Sequence, residues 1–574
     1  MTIQLSAAME AARTLTEKRP HYAVTFEGVP YVFGDAAIGF TTPLLFGGAL
    51  FGEIDPATGQ TYTFGAVVEN ASSLSRTLKT PSGFGSDVNP EQGSSSISSV
   101  TIPLLVSAAL LDMMANYTIK GKLVQISCGL NDVDATDWLV IWTGIVDDIK
   151  QWGDALGYNI EASDPQRLEK RSCFNVLTAK TGADFTAIST ASILVDSTTT
   201  WPSSGYAKID KEIVQYVGID ATHLGTTSLT RARLGTIAAA HSQNTVIGEL
   251  LLLGHTNQAG YTGHPVDIAL MVMTSTGAGT NGPWDVLAAR HGMKIPISMF
   301  DLPTWTDARD ELTGVAYEFW VDRSENEGKQ WIEREIFKPN ALYQVTRGDG
   351  KLRLKLFEPP TAEDTLQEIT DANTVGIPAI DGNFHRHYNE IAWAYDWQPT
   401  ENAFAPPRIE ESPESKAKYG KTYSFAIESR GLRTKFSDGT VGSAAAIATA
   451  RSSQLFARYG DPPMTVGLTG LFSTFHIEPG DLIIWTSDLS LDHRKGLRGA
   501  GPYVLEVVAK SPDFAQGVMG FQCLYTPFAG ARFAKWAAVG TGDYTTVPQG
   551  TKDLFVFIGL DGEMSNADPA YRYQ

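Results

Sequence analysis

The clearest change in hydrophobic period along the chain falls within residues 442–485. Apolar residues first recur at helical spacing, which predicts a helix that ends at Gly460 and Pro462. At residues 464–468 apolar and polar positions alternate, which predicts a β-strand, and a Pro-Gly-Asp turn then leads into a second apolar strand. A helix followed by two strands is not in itself a catalytic motif. This stretch is therefore predicted to be a structural framework.

Short alternating segments predict a first β-barrel in residues 1–170, after a short amphipathic N-terminal helix. The density of short strands favours a closed or nearly closed sheet, because closure removes exposed strand edges. The Gly- and Ser-rich segment 81–96 is predicted to be a flexible loop. The expected strands are a hairpin at 22–33 and segments 62–68, 96–105, 117–127, 138–142 and 156–160.

Four further regions follow from the same patterns. We expect an inserted small β-module at 171–254, a mixed α/β middle domain at 255–369, a second β-barrel at 370–530 and a C-terminal extension at 531–574. The module's expected strands are 192–195, 206–209, 212–217 and 246–252. The middle domain should contain helices at 284–291 and 325–337 and a hairpin of strands 342–346 and 352–357. The second barrel should also include strands 390–397, 423–429, 503–510 and 520–525.

Three stretches resemble the hub-type proteins of phage tail baseplates and of related tail-like particles. The segments ATARSSQLFARYGDPP and HIEPGDLI are similar to a helix and strand pair of the hub β-barrel, and VGIPAIDGNFHRHYNEIAWAYDW is similar to the opening of that barrel. KIDKEIVQYVGI and LTRARLGTIAAAH resemble a small β-module of many tail and baseplate proteins. None of the three is an active-site motif. The resemblance implies a β-rich α+β multidomain chain with two tandem hub-type β-barrels, the inserted module and the mixed middle region.

The same resemblance implies a mechanical function. Two related barrels per chain would assemble as a homotrimer, so that six barrels form a pseudo-sixfold ring that adapts a sixfold tail tube to a threefold tip. The ring would form part of the genome-ejection channel and anchor receptor-binding parts. Implied partners are a distal tail or tube protein, the tape-measure protein and central tip or fibre proteins, with DNA passing through without specific binding and only indirect contact with the host envelope. The protein would be made in the host cytoplasm and reside in the virion baseplate.

Composition limits the number of domains and the classes of protein to which the chain can belong. The 574 residues suggest three or four domains, and 43% hydrophobic content is ample for packed cores. A formal charge of -19 argues against a sequence-independent DNA binder, which needs cationic surface to release counterions from phosphate. An acidic wall would instead let DNA slide past, although net acidity can equally serve only to keep a large protein in solution.

The cysteines and the apolar runs of the chain do not indicate a cofactor or a membrane segment. Cys128, Cys173 and Cys523 are far apart and form no CxxC pair, so we expect reduced thiols and no cofactor. The N-terminus lacks the pattern of a signal peptide. The uncharged run 36–52 contains Pro43 and four glycines, so a buried loop or hairpin is favoured over a membrane-seeking element.

Candidate sites are few and each has a simpler structural reading. On a strand, His385, His387 and Asn389 would share one face and could seed a metal site, but a solvated strand face is favoured. Arg231, Arg233 and His241 could form a ligand site, but structural positions in the module are favoured.

The remaining candidates are weaker. Cys173 has no local peptidase signature, and adjacent carboxylates such as Asp147-Asp148 or Glu410-Glu411 face opposite sides of a strand. The Arg-Gly-Asp sequence at 347–349 lies in a predicted hairpin turn, where Asp-Gly supplies the backbone conformation. Metalloprotease, P-loop and hydrolase-elbow motifs do not occur.

No catalytic, cofactor-binding or metal-binding residue is therefore assigned, and the chain is expected not to be an enzyme. Two rival functions stay open. One is a tail-associated cell-wall hydrolase with its catalytic domain in the middle region. The other is an adhesin whose small β-module binds glycan.

Overall fold

The computed structural model describes most of the residues of the chain. They are 5–14, 20–29, 31–34, 82–130, 133, 137–153, 156–254, 263–356, 366–382, 384–492, 496–513 and 516–525, with two short strands at 535–536 and 555–556. The expected strand 62–68 and the apolar run 36–52 lie outside them. Within the described ranges, no helix is long and apolar enough to cross a membrane.

The N-terminal region folds into a curled six-stranded antiparallel sheet. Its strand order is β2-β1-β6-β7-β8-β5, and the hairpin and strands expected near residues 22–33, 96–105, 117–127, 138–142 and 156–160 are confirmed. The Ser107 hydroxyl caps α2 by accepting from the Leu110 N–H. The elements are α1 (Ala7–Thr14), β1 (Pro20–Phe26), β2 (Val32–Gly34), β3 (Ser86–Asn89), β4 (Ser94–Ser95), β5 (Ser99–Leu105), α2 (Ala108–Asn116), β6 (Leu123–Leu130), β7 (Leu139–Gln151) and β8 (Gly157–Ser163).

The small module is a sheet around its own apolar core, and the four expected strands are present. Two more strands were not predicted: the three-residue β9 (Thr178–Lys180), and β13 (His223–Thr230), whose sequence HLGTTSLT is mostly polar. The strands are β9 (Thr178–Lys180), β10 (Ile193–Leu194), β11 (Ser204–Ile209), β12 (Glu212–Ile219), β13 (His223–Thr230) and β14 (Val246–Gly254). The end of β14 also pairs with β15 (Glu318–Val321), which continues the sheet into the middle region.

The middle region packs helices and a hairpin around a large apolar cluster. The expected helix 325–337 is confirmed as α5 (Gly328–Ile332), a π-helical turn (Glu333–Phe337) and α6 (Lys338–Asn340). The expected hairpin is confirmed as β16 (Leu342–Thr346) and β17 (Leu352–Leu356). The other two helices of this region are α3 (Pro265–Thr274) and α4 (Leu302–Glu311).

The predicted helix 284–291 is wrong. These residues form turns because the buried Asp285 carboxylate accepts hydrogen bonds from the loop that precedes it. Its carboxylate accepts from the Thr276 hydroxyl and from backbone N–H groups at 276, 277, 280 and 281, at 2.6–3.2 Å. Burial opposes ionisation, but these hydrogen bonds hold the pKa of Asp285 at about 2. A carboxylate satisfied in this way competes with a helical backbone.

The C-terminal region contains the second curled sheet, of order β18-β24-β25-β26-β23-β19. The helix and strands expected at 442–485, 503–510 and 520–525 are confirmed. The elements are β18 (Gln367–Ile369), β19 (Ala379–Gly382), β20 (Glu390–Ala394), β21 (Arg408–Glu411), α7 (Pro413–Tyr419), β22 (Ser424–Glu428), α8 (Ala444–Tyr459), β23 (Met464–Leu471), β24 (Leu482–Asp492), β25 (Leu497–Asp513) and β26 (Val518–Tyr525), and then β27 (Lys535–Trp536), which pairs with β28 (Phe555–Val556).

Two strands assigned to the second barrel belong elsewhere. The segments 390–397 and 423–429 contain β20 and β22, which form a separate three-stranded sheet with β21. Trp393 and Ile427 face the apolar cluster of the middle region, not the interior of the second curled sheet. The Trp393 indole N–H also donates to Ser452 on α8 at 2.8 Å. Burial of these large side chains against α8 therefore decides where the strands lie.

The prediction of a flexible loop at 81–96 is also wrong within its described part. Residues 82–96, here called the strap, run from the first curled sheet to the second. Ser82 bridges Thr101 on β5, and β3 then pairs with β25 through Asp87 and Ala509. The strap also buries Glu91. Its Gly and Ser residues thus fit a close passage between two sheets.

The two curled sheets contain the same four-stranded unit. The first unit is β5-α2-β6-β7-β8, and the second is β23, a short 3₁₀ turn, β24, β25 and β26. In each, the last three strands form a meander and the last strand pairs with the first. One apolar cluster includes inward-facing residues of both units.

The correspondence extends to individual hydrogen bonds. Gly121 precedes β6 at φ 80°, and Gly480 precedes β24 at φ 81°. The Gly121 N–H donates to the Val146 carbonyl at 2.9 Å, as the Gly480 N–H does to Val507 at 2.7 Å. Each valine N–H donates back to the residue after that glycine, at 3.0 and 2.9 Å. In both units a β-bulge follows the valine.

The strand register is also the same in the two units. Val146 lies opposite Ala162, which lies opposite Val100. In the second unit, Val507 lies opposite Cys523, which lies opposite Val466. A one-residue slip would turn every apolar side chain to the other face of a sheet. The shared register therefore places equivalent residues in equivalent positions.

Candidate functional site

The two units meet at a narrow polar cleft that the hairpin β16-β17 closes. The cavity left between them is about 30 Å³, room for roughly one water molecule. A ligand-binding pocket is usually an order of magnitude larger. The first unit and its flanks contribute Ser98, Ile141, Trp142, Thr143 and Asp164; the second contributes Phe475, Glu478, Lys510 and Pro512; the hairpin contributes Thr346, Arg347 and Gly348; and the strap contributes Phe84 and Ser86.

Two buried ion pairs lie at this cleft. The Lys510 ammonium donates to Glu478 Oε1 and to the Phe475 carbonyl, both at 2.7 Å. Arg347 Nη2 donates to Asp481 Oδ1 at 2.6 Å, and all four charged groups are less than 10% exposed. Buried charges of this kind need partners, and here each has one.

The Arg-Gly-Asp sequence belongs to this packing. Arg347 is directed to Asp481, and the Asp349 carboxylate accepts twice from the Arg353 guanidinium at 2.7 Å. The Gly348 carbonyl accepts from the Thr143 hydroxyl of the first unit at 2.7 Å. The turn therefore joins the middle region to the first unit. Its side chains are not presented as an adhesion signal.

A second buried network joins the first unit to α5. The Lys329 ammonium donates to Glu333 Oε1 at 2.6 Å, to Gln166 Oε1 at 2.9 Å and to Ser95 Oγ at 3.1 Å. Glu169 lies 3.9 Å from the same ammonium and accepts from a Gln344 amide at 2.6 Å. Burial raises the pKa of Glu169 to about 8, with Lys329 opposing the rise and Glu333 adding to it.

The substitution Glu169→Gln should change how stability depends on pH. A carboxyl whose pKa is raised from 4.5 to about 8 stabilises the fold below pH 4.5, and that stabilisation is lost as pH rises to 8. Gln mimics the protonated acid, so we expect equal stability near pH 5 and a variant more stable by roughly 3 kcal/mol at pH 8. Chemical unfolding at both pH values measures this. The exposed Glu414→Gln is the control, and a constant difference between Glu169→Gln and wild type would contradict the assignment.

A third network joins the strap, α8 and the second unit. Arg458 on α8 pairs with Glu506 on β25, and Glu506 also accepts from the Tyr343 hydroxyl at 3.1 Å. Beside them, Glu91 of the strap pairs with Arg386 at 3.1 Å. The Tyr459 hydroxyl donates to Glu91 at 3.3 Å and links the two ion pairs, so that these contacts tie together five sequence-distant segments: the strap, β16, the turn at 384–386, α8 and β25.

Arg231 and His241 of the module are brought together, on Glu212. This fully buried carboxylate accepts from Arg231 Nε and Nη2 at 2.5 and 2.6 Å, from His241 Nε2 at 2.9 Å, and from backbone N–H groups of residues 232 and 239. Burial opposes ionisation, but the bonds from Arg231 and His241 lower the pKa of Glu212 to about 2. Arg233 contributes through its backbone N–H, which donates to Ile213 at 2.8 Å. These hydrogen bonds fix the position of the loop 231–241.

The three residues of the histidine candidate do not share a strand face. Residues 384–386 form a 3₁₀ turn, and His385 is exposed while His387 is 1% exposed. His387 Nε2 lies 3.1 Å from Ser415 Oγ and 3.0 Å from the Gly460 carbonyl. Asn389 bonds to the backbone of 421 and 423. The turn before β20 breaks the strand period on which the metal hypothesis depended.

The other candidates also have structural partners. Cys173 is buried in the middle region, and burial raises the pKa of its thiol. Asp147 pairs with Arg167, and Glu410 pairs with Arg408 at 2.6 Å. Within the described ranges, no group of three or more His, Cys, Asp or Glu side chains is placed to hold a metal ion.

The cleft residues were not predicted from the sequence. Asp164 and Lys510 are single charged residues in ordinary strand-end contexts, and no spacing relates them. Their proximity depends on the pairing of the strap with β25. Sequence signals were available for the Pro-Gly-Asp turn before β24 and for the hairpin turn that contains Arg347 and Gly348, but not for the contact of either turn with the first unit.

Comparison with known proteins gives structural likeness only. No protein-family model matches the chain, and no curated protein does. Similar solved structures include a tail protein from Neisseria meningitidis (9% identity, 78% of this chain, 92% of the other, TM-score 0.33). They also include a prophage tail protein from Listeria monocytogenes (9%, 78% and 89%, 0.35) and the 43 kDa tail protein of a Shewanella oneidensis prophage (8%, 89% and 99%, 0.36).

All three are described as tail proteins. Their TM-scores are all below 0.5, so the function of this chain has to be argued from its own residues.

Proposed function

We propose that the chain is a structural hub of a phage tail baseplate. In this proposal, residues 1–170 and 370–530 carry the two hub barrels, except for the separate sheet of β20, β21 and β22, which packs on the middle region. Residues 171–254 are the inserted module, 255–369 the middle domain that braces the barrels, and 531–574 an extension. Its role is mechanical. It adapts a sixfold tail tube to a threefold tip, forms part of the channel for genome ejection, and anchors tip and receptor-binding proteins.

The observation that carries the proposal is the repeated unit. The first and second units share strand order, bulge position and register, with Gly121 and Gly480 in the same turn. Three copies of a chain with two equivalent units would present six similar units around a threefold axis. Cyclic symmetry of this kind is the usual way in which a single chain builds a closed ring.

The polar interior supports a framework role. Networks around Lys329 and Glu506, together with the pair Arg347–Asp481, join the units, the strap and the middle region through paired, buried charges. A frame that transmits force between rings needs its parts fixed relative to one another, and hydrogen-bonded buried ion pairs favour one fixed geometry. The formal charge of -19 suits a channel wall that repels DNA phosphate.

The partners in this proposal are two further copies of the chain, a distal tail or tube protein, the tape-measure protein and central tip or fibre proteins. DNA would pass without specific binding. The protein would be assembled in the host cytoplasm and carried in the virion.

Mass measurement of the purified full chain tests this function. We expect particles of three copies of the 62.1 kDa chain, and no clearing of peptidoglycan in a zymogram. A single-copy particle that clears peptidoglycan would contradict the proposal and favour a cell-wall hydrolase.

A further inference from the structure

The small module presents two short uncharged loops, residues 186–191 and 235–240, which are here called the tip. Neither loop contains a charged residue, although the whole chain carries 64 acidic and 45 basic residues. Ile188 in the first loop is 91% exposed, and Ile237 in the second loop is 84% exposed. Side chains exposed to this extent stand out from the surface and contribute little to the core of the module.

Arg231 brings the two loops of the tip together. A guanidinium has five N–H groups, and all five of this one donate hydrogen bonds, at 2.5–3.2 Å. The acceptors are the Glu212 carboxylate and the backbone carbonyls of Thr186, Ser189 and Ala239. Backbone on both sides of Ile188 and backbone close to Ile237 therefore contact the same group. Clustered exposed apolar side chains of this kind are typical of interaction surfaces.

The backbone beside the tip is held in one shape. Ala232 and Leu234, which lead into the second loop, both have a φ of 53°, a left-handed conformation that costs energy for residues with side chains. Glu212 stabilises it, because the carboxylate accepts from the N–H groups of Ala232 and Ala239 at 3.2 and 3.1 Å. A surface that is already ordered loses little conformational entropy on binding. The tip is therefore preorganised for contact.

The module is also joined firmly to the middle region. Its strand β14 pairs with β15. Beside that pairing, the Arg433 guanidinium lies 3.5 Å from the centre of the Trp320 ring, and the Lys208 ammonium donates to Asp322 at 2.7 Å. A partner that holds the tip is thereby connected to the rest of the chain through strand pairing and side-chain contacts.

The chemistry of the tip narrows the class of partner. Since both loops are uncharged, the tip does not complement a charged surface such as nucleic acid or an anionic lipid headgroup. Two isoleucine side chains contain fewer carbons than a myristoyl chain, which itself binds a membrane only marginally. The rings of Phe185 and His241, which flank the loops, are buried and cannot stack on a sugar.

A second copy of the chain does not complement the tip either. Its own tip protrudes in the same way, and two protruding loops cannot enclose each other's side chains. The cavity at the cleft, of about 30 Å³, has room for roughly one water molecule and cannot receive an isoleucine. These features favour a different protein that supplies a concave apolar surface.

We propose that the tip docks into an uncharged apolar socket on a different protein of the tail particle, with Ile188 and Ile237 as the side chains that enter it. This rests on the proposed hub function and gives the inserted module a surface for one of the hub's partners. Binding removes the apolar area of both isoleucines from water, which supplies the free energy of docking. The preorganised loops keep the entropic cost low.

Tail particles that carry the full chain test this docking by their protein composition. The wild type is compared with the double variant Ile188→Ser, Ile237→Ser and with the control Val441→Ser, which changes an 88% exposed aliphatic residue on a different loop. Each buried isoleucine should contribute roughly 10- to 100-fold to affinity, so we expect the double variant to lose one protein from the particle. Val441→Ser should keep all of them. Both variants should have the wild-type thermal midpoint.

A photo-reactive amino acid identifies what covers the tip. Placed at position 237 of the full chain, it should form a crosslink in the assembled particle to the protein that the double variant loses. Placed at position 441, it should not crosslink to that protein. The purified full chain should not float with phosphatidylcholine vesicles.

The outcomes separate this interface from the hub function. If wild-type particles lack the chain, the hub function is contradicted and the interface falls with it. If particles contain the chain but the double variant keeps every protein at its wild-type amount, the interface is overturned and the hub function stands. The interface is also overturned if position 237 gives no crosslink or crosslinks to a second copy or to lipid, or if the chain binds vesicles and the double variant does not.

Discussion

Arg458→Met should loosen α8 from the second unit by about 3–5 kcal/mol of local stability, because the substitution leaves the Glu506 carboxylate buried without its ion-pair partner. Glu506 is 1% exposed, and the Tyr343 hydroxyl alone cannot replace a guanidinium. The effect is read from the opening free energies of α8 and β25 in native-state hydrogen exchange.

The double variant Arg458→Met, Glu506→Met separates lost charge pairing from lost packing. Replacement of a buried ion pair by apolar side chains of similar volume is often neutral. We therefore expect the double variant to recover most of the stability that Arg458→Met loses. A double variant as unstable as the single one would show that packing, not the unpaired carboxylate, explains the loss.

Glu212→Gln should destabilise the small module by a similar amount, about 3–5 kcal/mol. The amide would turn a donor toward Arg231 or His241, both of which donate to the carboxylate in the native fold. Protection of loop 231–241 from hydrogen exchange should be lost first, since that loop bonds to Glu212 through its backbone as well.

The pH dependence gives an independent check of the same residue. Because the pKa of Glu212 is lowered from 4.5 to about 2, its stabilisation is complete above pH 4.5 and is lost as pH falls toward 2. Glu212→Gln should lack this part of the acid sensitivity. Asp220→Asn, which changes an exposed acid of the same module, should cost much less stability than Glu212→Gln. Equal losses for the two substitutions would contradict the role given to Glu212.

Local patterns were enough to predict much of the fold. The alternation at 464–468, the Gly460 helix end and the Asp-Gly turn after Gly348 each depend on a few neighbouring residues, and the expected elements are present. Fold class followed in the same way, since short strands and turn residues are frequent throughout. These features need no knowledge of distant partners.

The features that the sequence did not predict depend on contacts between residues that are far apart in the chain. The helix expected at 284–291 does not form, because Asp285 accepts hydrogen bonds from the preceding loop. The strand β20 joins a separate sheet because Trp393 packs on α8. Glu91 lies 368 positions from Tyr459, whose hydroxyl donates to it at 3.3 Å. Charged residues such as these look like surface residues in a sequence, and only the fold shows that they are buried.

The repeat itself was anticipated only through the family resemblance. Gly121 and Gly480 share a turn, but the residues around them, Ile-Lys-Gly-Lys-Leu and Glu-Pro-Gly-Asp-Leu, have only Gly and Leu in common. Backbone hydrogen bonds conserve the geometry while the side chains differ. The equivalence of the units is therefore visible in register and not in residue identity.

Electron microscopy of the purified full chain tests the central claim most directly. The account predicts threefold rings in which six similar densities surround a central opening, alternating between first and second units. Particles with a twofold axis, or three-copy particles whose six units do not lie on one ring, would contradict it.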